Sequence, residues 1–570
     1  MEYKTRDRIS GYFDLFFVFI EIDIFIWVLF EISFPLRPMV YTVGRLIAGI
    51  LILEPVVQFL IDPHIKTHIG HYWRHYLITC IFIYCYYLFQ KTPVDHRFIF
   101  IYSRLLLALI EVLLFIKFVL QLSRLREVFG YFRVSPAQLI IVSFASIILV
   151  GSFILYLPYA HSKGTSIRYI DALFTATSSV CVTGLVVVDT GTAFSRLGHI
   201  FILMLIQAGG LGIMTIAAFI QLSLGSQLSV YGRFSTASVL GQTDLRNLFT
   251  VIRAIVMITF FFELTGALLF LPFFLRRIPG SLEALFYSIF HAVSAFCNAG
   301  FSFYSNSFMH AVGNLLCNLV LMWLIVSGGL GFTVILNLVK RLFKGRKERI
   351  TVQTMIVLIS TLCLITFGAV GFFLFERDYI LRDLKPHEKF LASLFQSITA
   401  RTAGFNTVNI GSLRHVTLFM ISTLMFIGAS PGSTGGGIKT TTFFILILSI
   451  ITILRDQRFN TIFNRRIPFQ VVNRAFAILV SSLCLIIAST LLLGLTEKFS
   501  LIQIFFETVS AFGTVGLSTG ITPLLSDFGK IVIMLCMFIG RLGPLTMVLA
   551  VRTMQVTKLV TYPEERVMVG

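Results

Sequence analysis

The chain has 570 residues, of which 56% are hydrophobic and only 13% charged. That excludes an ordinary soluble domain, whose charged fraction is about 25%. The formal net charge of +19 would suit a nucleic-acid partner. The basic residues, however, stand at the ends of apolar runs rather than along one soluble face, so they read as membrane-topology signals and no nucleic acid is expected. Eight cysteines, several in apolar runs such as Cys80, Cys85, Cys363 and Cys484, lack the spacing of a disulfide framework or zinc site.

In chain order, residues 1–134 come first, with predicted spans near 11–32, 42–62, 73–90 and 97–120. Met1 to Ser10 carries charges without a signal-peptide core, so the first span is expected to stay in the protein. Lys4, Arg6 and Arg8 before these spans, and Arg124, Arg126 and Arg133 after them, place both ends of the region in the cytoplasm. Arg97, Arg104 and Lys117 do not form the run of basic residues at every third position that a voltage sensor needs. A packing or regulatory bundle is expected instead. On the inner connector, His64, His68, His71 and His75 share one face of a helix. That face either meets headgroups or offers a transition-metal site.

From residue 135 the same order recurs four times: a span, a short amphipathic segment closing on a glycine, and a second span. The predicted elements are 137–158, 169–180 and 195–222; 252–274, 283–295 and 312–340; 351–375, 387–399 and 414–453; and 471–495, 500–511 and 526–552. The units are 135–250, 251–349, 350–466 and 467–556, followed by a cytoplasmic tail, 557–570. The closing segments are Val180, Cys181, Val182, Thr183 and Gly184; Phe296, Cys297, Asn298, Ala299 and Gly300; Ala400, Arg401, Thr402, Ala403 and Gly404; and Phe512, Gly513, Thr514, Val515 and Gly516. Phe174, Phe290, Phe395 and Phe506 stand about ten positions ahead of the glycines.

Two spans and one re-entrant segment per unit keep all four units parallel, so they can close a ring. The predicted fold is therefore an all-α polytopic membrane protein, with four parallel span/pore-helix/span repeats around a pseudo-fourfold pore and about four extra transmembrane helices before them. Four backbones carrying glycine can bring carbonyl oxygens close enough to replace a cation's hydration shell. Pore-helix C-termini aimed at the centre would favour a cation further.

Glycine clusters follow in each second span: Gly209 and Gly210, Gly328 and Gly329, Gly435 to Gly437, and Gly540. In the first two, close helix packing is as good a reading as gating. The third lies within Gly428-Ala-Ser-Pro431-Gly432-Ser-Thr434-Gly435-Gly436-Gly437-Ile-Lys439, which proline and five glycines keep from being helical. Irregular backbone at membrane depth has to be buried in protein or line water, so a loop beneath the ring is expected. Arg541 in the last span, which could form a helix-packing ion pair, and Glu263 in the first span of the second unit, which could pair with a base or help attract cations, are costly there without a partner. Either could serve packing or the pathway.

At these residues the chain resembles the Trk/Ktr superfamily of potassium transporters, above all the Ktr-type membrane subunit. The stretches are Leu173 to Leu185, Thr402-Ala-Gly-Phe-Asn406, Ser430 to Thr442 and Gly540-Arg-Leu-Gly-Pro-Leu-Thr546, and the likeness spans about residues 135–555. It implies a homodimer with one pore per protomer and a separate cytosolic nucleotide-binding regulatory ring. It also implies that the loop from Gly428 to Thr442 gates the pore, that Arg541 contacts this loop, and that Arg401 turns from the axis to brace the loop. In the family, serine at a filter glycine accompanies sodium permeation, so four glycines imply potassium.

The expected function is potassium uptake across the cell membrane, driven by the membrane potential, with both termini cytoplasmic and no enzymatic activity. Potassium is the expected ion and sodium an open second one. No P-loop is present. The alternatives are the potassium-conducting subunit of an ATP-driven pump and a membrane metalloenzyme using the histidine face.

Overall fold

The computed structural model describes residues 136–212, 248–344, 349–457, 459–544 and 546–547. The N-terminal region 1–134, with His64, His68, His71 and His75, and the tail 557–570 lie outside the described residues. Among the described residues, fourteen helices of twelve or more residues carry the fold, in four successive sets. Set one holds α1 (Pro136–Tyr156), α2 (Tyr169–Val180) and α3 (Arg196–Gly210). Set two holds α4 (Leu248–Leu275), α5 (Ser281–Phe296), α6 (Leu315–Leu330) and α7 (Phe332–Lys344). Set three holds α8 (Val352–Glu376), α9 (Pro386–Thr399), α10 (His415–Phe426) and α11 (Thr440–Leu454). Set four holds α12 (Phe469–Thr496), α13 (Leu501–Gly513) and α14 (Asp527–Leu542). Among the described residues, β structure is a two-residue ladder, Thr461–Ile462 with Arg465–Arg466, turned by Phe463 and Asn464 at positive φ, and two isolated bridges, His161 with Phe194 and Ile427 with Ile438.

Three stretches, Arg253–Leu275, Val352–Glu376 and Phe469–Thr496, are long and apolar enough to cross a membrane. The 25 residues of α8 rise about 38 Å at 1.5 Å each, against a hydrocarbon core of about 30 Å. Their outer faces carry Phe260, Leu264 and Leu268 on α4, Leu362 and Phe367 on α8, and Leu491 and Leu495 on α12, all exposed. Apolar rows of this kind are stable against lipid and costly against water.

Local signals start the shorter helices. Asn314 caps α6 by accepting from Cys317 N–H at 2.9 Å, and Ser526 caps α14 by accepting from Gly529 N–H at 3.0 Å. In α9, Pro386 stands at N1 while Glu388 accepts from Lys385 N–H at 3.0 Å. Carboxylates at the ends of two long helices hold the start of the next span: Glu376 accepts from Arg414 N–H at 3.0 Å, and Glu497 accepts from Ser526 N–H at 3.2 Å.

Within each set the long first helix packs on the short helix: α1 on α2, α4 on α5, α8 on α9 and α12 on α13. Between sets the second-span helix packs on the next short helix, as α3 on α5, α6 on α9, α10 on α13 and α14 on α2. The last contact returns to the first set, so the packing is cyclic. Phe174, Phe290, Phe395 and Phe506 are fully buried and fill equivalent places in this core.

The seam between sets four and one is pinned by charge. Lys530 Nζ donates to Asp171 Oδ1 at 2.7 Å with both side chains at most 10% exposed. Arg168 adds contacts to Asp171 at 3.1 Å and Asp527 at 3.0 Å, which raise its pKa above the usual guanidinium value. A buried pair broken on one side leaves an uncompensated charge, worth about 3–5 kcal/mol. Lys530→Met is therefore expected to lower the unfolding midpoint of the purified protein by several degrees, read by thermal denaturation in detergent, while the exposed Arg168→Gln has a much smaller effect.

The second spans differ from the expectation of single helices. α6 stops at Gly331, φ +89°, and α7 leaves at 100°. Gly212 after α3 and Gly543 after α14 have φ of +77° and +85° at the matching positions, three residues beyond Gly209 and Gly540. Within the predicted stretches 195–222 and 526–552, α3 ends at Gly210 and α14 at Leu542, while 213–222 and 548–552 lie outside the described residues. In each case a glycine at positive φ, a conformation available cheaply only to glycine, stands just beyond the helix end.

A ring of glycines and a loop against it

The four short helices all end at glycine segments with one backbone pattern. Positive φ occurs at Val182, Asn298, Thr402 and Thr514, and again two residues on at Gly184, Gly300, Gly404 and Gly516. Alternating left-handed residues turn successive carbonyls toward one side, unlike a β-strand.

The amides point the other way. Thr183 N–H donates to Ser178 O at 2.8 Å, Ala299 N–H to Ser294 O at 2.7 Å, Ala403 N–H to Thr399 O at 3.0 Å and Val515 N–H to Ser510 O at 2.9 Å. The same four hydroxyls hold the next turn. Ser178 and Ser510 Oγ accept from Gly184 and Gly516 N–H at 3.0 and 3.1 Å, while Ser294 Oγ and Thr399 Oγ1 donate to Phe301 and Phe405 O at 2.9 and 2.6 Å. Donors spent backward leave carbonyls free in front.

Those carbonyls meet the neighbouring glycines in cyclic order. A Cβ on Gly184 would collide with Ala299 O, one on Gly300 would lie 2.8 Å from Ala403 O, one on Gly404 would strike Val515 O, and one on Gly516 would strike Thr183 O. Side chains turn outward. Val182 packs on Gly209, Cys297 lies against Gly210, and the Asn298 amide nitrogen donates to Ile325 O at 3.2 Å and Ala295 O at 3.0 Å.

The glycine clusters of the second spans meet the bases of these segments. A Cβ on Gly209, Gly328 or Gly540 would strike the carbonyl oxygen of Val180, Phe296 or Phe512 respectively, each in its own set. Close backbone approach is what these three positions need, as the packing reading has it.

In set three the place of that helix is taken by a loop between α10 and α11. Gly435 lies against Thr402, Gly436 N–H donates to Thr514 Oγ1 at 2.9 Å, and Thr434 Oγ1 donates to Phe296 O at 3.3 Å, so the loop touches three of the four segments. Gly428 packs on Gly436 and Gly437, closing the loop on itself. Pro431 and Gly432 sit off the ring: Phe332 N–H donates to Gly432 O at 2.9 Å, and Pro431 O abuts Gly331.

Two cations hold adjacent loop carbonyls. Lys439 Nζ donates to Gly435 O at 2.6 Å, and Arg541 donates to Thr434 O and Gly209 O. Arg541 therefore has backbone partners where an ion pair was the alternative. Glu263, weighed as a partner for a base, instead accepts from Gln207 Nε2 at 3.2 Å beside the Cys297 thiol at 3.7 Å. Arg401 is buried, and its Nε has no hydrogen-bond partner among the described residues.

One residue went unnoticed in the sequence. Glu507, buried in α13, accepts from Ser518 Oγ (2.6 Å), Thr519 N–H (2.8 Å) and Thr522 Oγ1 (2.8 Å), fixing the chain just beyond Gly516. A carboxyl eleven residues before a Ser-Thr pair was its signal.

A family profile described as "Cation transport protein", TrkH, matches residues 109–562, most of the chain. The chain belongs to the TrkH family of cation transport proteins. Relatives include the Ktr system potassium uptake protein B of Bacillus subtilis, 39% identical with 78% of this chain and 99% of that one covered. The protein of the same name from Vibrio alginolyticus is 40% identical, with 76% and 94% covered. Among solved structures, the crystal structure of the potassium transporter TrkH from Vibrio parahaemolyticus matches with a TM-score of 0.61 at 18% identity, over 78% of this chain and 91% of that one. As in those helical folds, this TrkH-family chain is a mostly helical membrane protein, and its family transports cations rather than catalysing a reaction.

Proposed function

We propose that this chain carries potassium into the cell through the ring formed by residues 180–184, 296–300, 400–404 and 512–516. One observation carries the reading: four glycines, each against the carbonyl of the next set, in a cycle that returns to the first. Carbonyl dipoles gathered in this way substitute for the water a cation sheds, and the short-helix C-termini behind them add negative potential. That two relatives near 40% identity are potassium uptake proteins by name supports potassium as the cargo. The membrane potential supplies about 2.3 kcal/mol per charge per 100 mV, enough to drive uptake without a nucleotide.

The loop from Gly428 to Lys439 is the gate in this reading, with Arg541 as its latch. Its many backbone hydrogen bonds are individually weak, so the loop can exchange partners without unfolding a helix. The working unit is taken to be a membrane homodimer with a separate nucleotide-binding ring, and the repeats are 135–250, 251–349, 350–466 and 467–556.

Purified protein in liposomes with a negative-inside potential and no ATP tests the reading. Potassium is expected to enter faster than sodium, followed by isotope or fluorescent indicator. Absence of uptake without an added ATPase would overturn it in favour of a pump subunit.

A further inference from the structure

A cavity lies at the seam of sets two and three, beside the glycine segment of set three. Its walls are Ile325 and Gly329 of α6, Thr361 and Ile365 of α8, Ile398 of α9, and Arg401. Apart from Thr361 and Arg401 these walls are apolar. Arg401 is only 7% exposed, and its Nε–H finds no acceptor. Among the described residues its guanidinium makes neither a hydrogen bond nor an ion pair. Thr361, equally buried, has an unpartnered hydroxyl on the same cavity. A helical threonine ordinarily donates to the carbonyl four residues back, as Thr366 does to Leu362 at 2.8 Å in the same helix. Two residues with unpaired donors thus border one small chamber.

We propose that this cavity is an anion site, in which a small monovalent inorganic anion such as chloride accepts hydrogen bonds from the Arg401 guanidinium and the Thr361 hydroxyl. A guanidinium stays charged at any physiological pH, and an isolated one between apolar walls is strongly disfavoured. Water satisfies N–H groups but leaves the charge uncompensated. An anion does both. The wall of isoleucines leaves no second cation to recruit and selects a weakly hydrated ion over a strongly hydrated one. The site also bears on transport: a bare positive charge within one of four segments that receive cations would repel them, and a counter-ion behind the segment cancels that field. This goes beyond the proposed ring and gate, and binding can be read without any flux.

The test is thermal unfolding of the full-length protein in detergent, at constant potassium and ionic strength, with gluconate replaced stepwise by chloride or bromide. A saturable rise in midpoint is expected for the native chain. Loss of the hydroxyl in Thr361→Val removes one hydrogen bond to a charged partner, so half-saturation is expected at roughly tenfold higher halide. Arg401→Gln is expected to abolish the rise. In crystals grown with bromide, an anomalous peak beside Arg401 is the direct form of the result. A midpoint indifferent to halide in the native chain overturns the proposal, as does an unchanged half-saturation in Thr361→Val, which decides the matter even if Arg401→Gln fails to fold.

Discussion

Gly184→Ser is expected to cut the potassium-to-sodium permeability ratio at least tenfold, measured from reversal potentials or paired fluxes in liposomes. Two costs meet at this position. Its φ of +86° is one that L-residues rarely adopt, and a Cβ there runs into Ala299 O, with Gly300 Cα at 3.0 Å. The substitution must therefore move the carbonyl of set two or tilt its own segment. Discrimination between two monovalent ions of different radius rests on where those oxygens stand and how many there are. A loss of about 1.4 kcal/mol in that difference is tenfold in selectivity. Gly516→Ser provides the control, since the same collision arises there with Thr183 O on the other side of the cycle. Equal ratios in native and both variant proteins would sink the assignment of these glycines to the ion path.

Much of this arrangement was legible because the glycines have no substitute. A position needing positive φ and no Cβ leaves a mark in any sequence, and four such marks at similar spacing, each about ten residues after a phenylalanine, announced the recurring helix order. The loop at Gly428 to Lys439 was legible for the same reason, through proline and glycine that resist helix. The turns at Gly212, Gly331 and Gly543 were not. Leu330-Gly331-Phe332 continues an apolar run, and hydropathy is blind to a 100° change of direction. Only their shared offset of three residues from the packing glycines would have given them away. Arg541 was suspicious as a charge in an apolar span, but its partners are backbone carbonyls, which every residue possesses and no sequence pattern singles out. The expectation that Arg401 braces the loop came from resemblance; no sequence pattern singles out the cavity that this side chain borders. Lys530 and Asp171, 359 positions apart, meet only because the ring closes.

Arg541→Gln is expected to raise potassium flux severalfold in the absence of any partner subunit. Arg541 ties Thr434 O of the loop to Gly209 O of α3, joining sets three and one, which is the closed state of the proposed gate. Lys439 holds the adjacent carbonyl, of Gly435, so on the proposed reading two positive groups stand where a cation leaving the ring would pass. Removing one guanidinium takes away a barrier of like charge and two charge-assisted hydrogen bonds, each worth about 1.5–3 kcal/mol. The hydrogen bonds that remain, from Gly436 N–H to Thr514 and from Thr434 to Phe296, keep the loop in place without its cross-tie. Its open population should therefore grow while selectivity, which the proposal assigns to the glycine segments, stays constant. Lys439→Met separates the two contributions: it removes charge from the same space but leaves the tie to α3, so a smaller rise in flux is expected. Flux in Arg541→Gln no higher than in the native chain, with folding verified by an unchanged unfolding midpoint, would mean that this arginine packs helices and holds no gate.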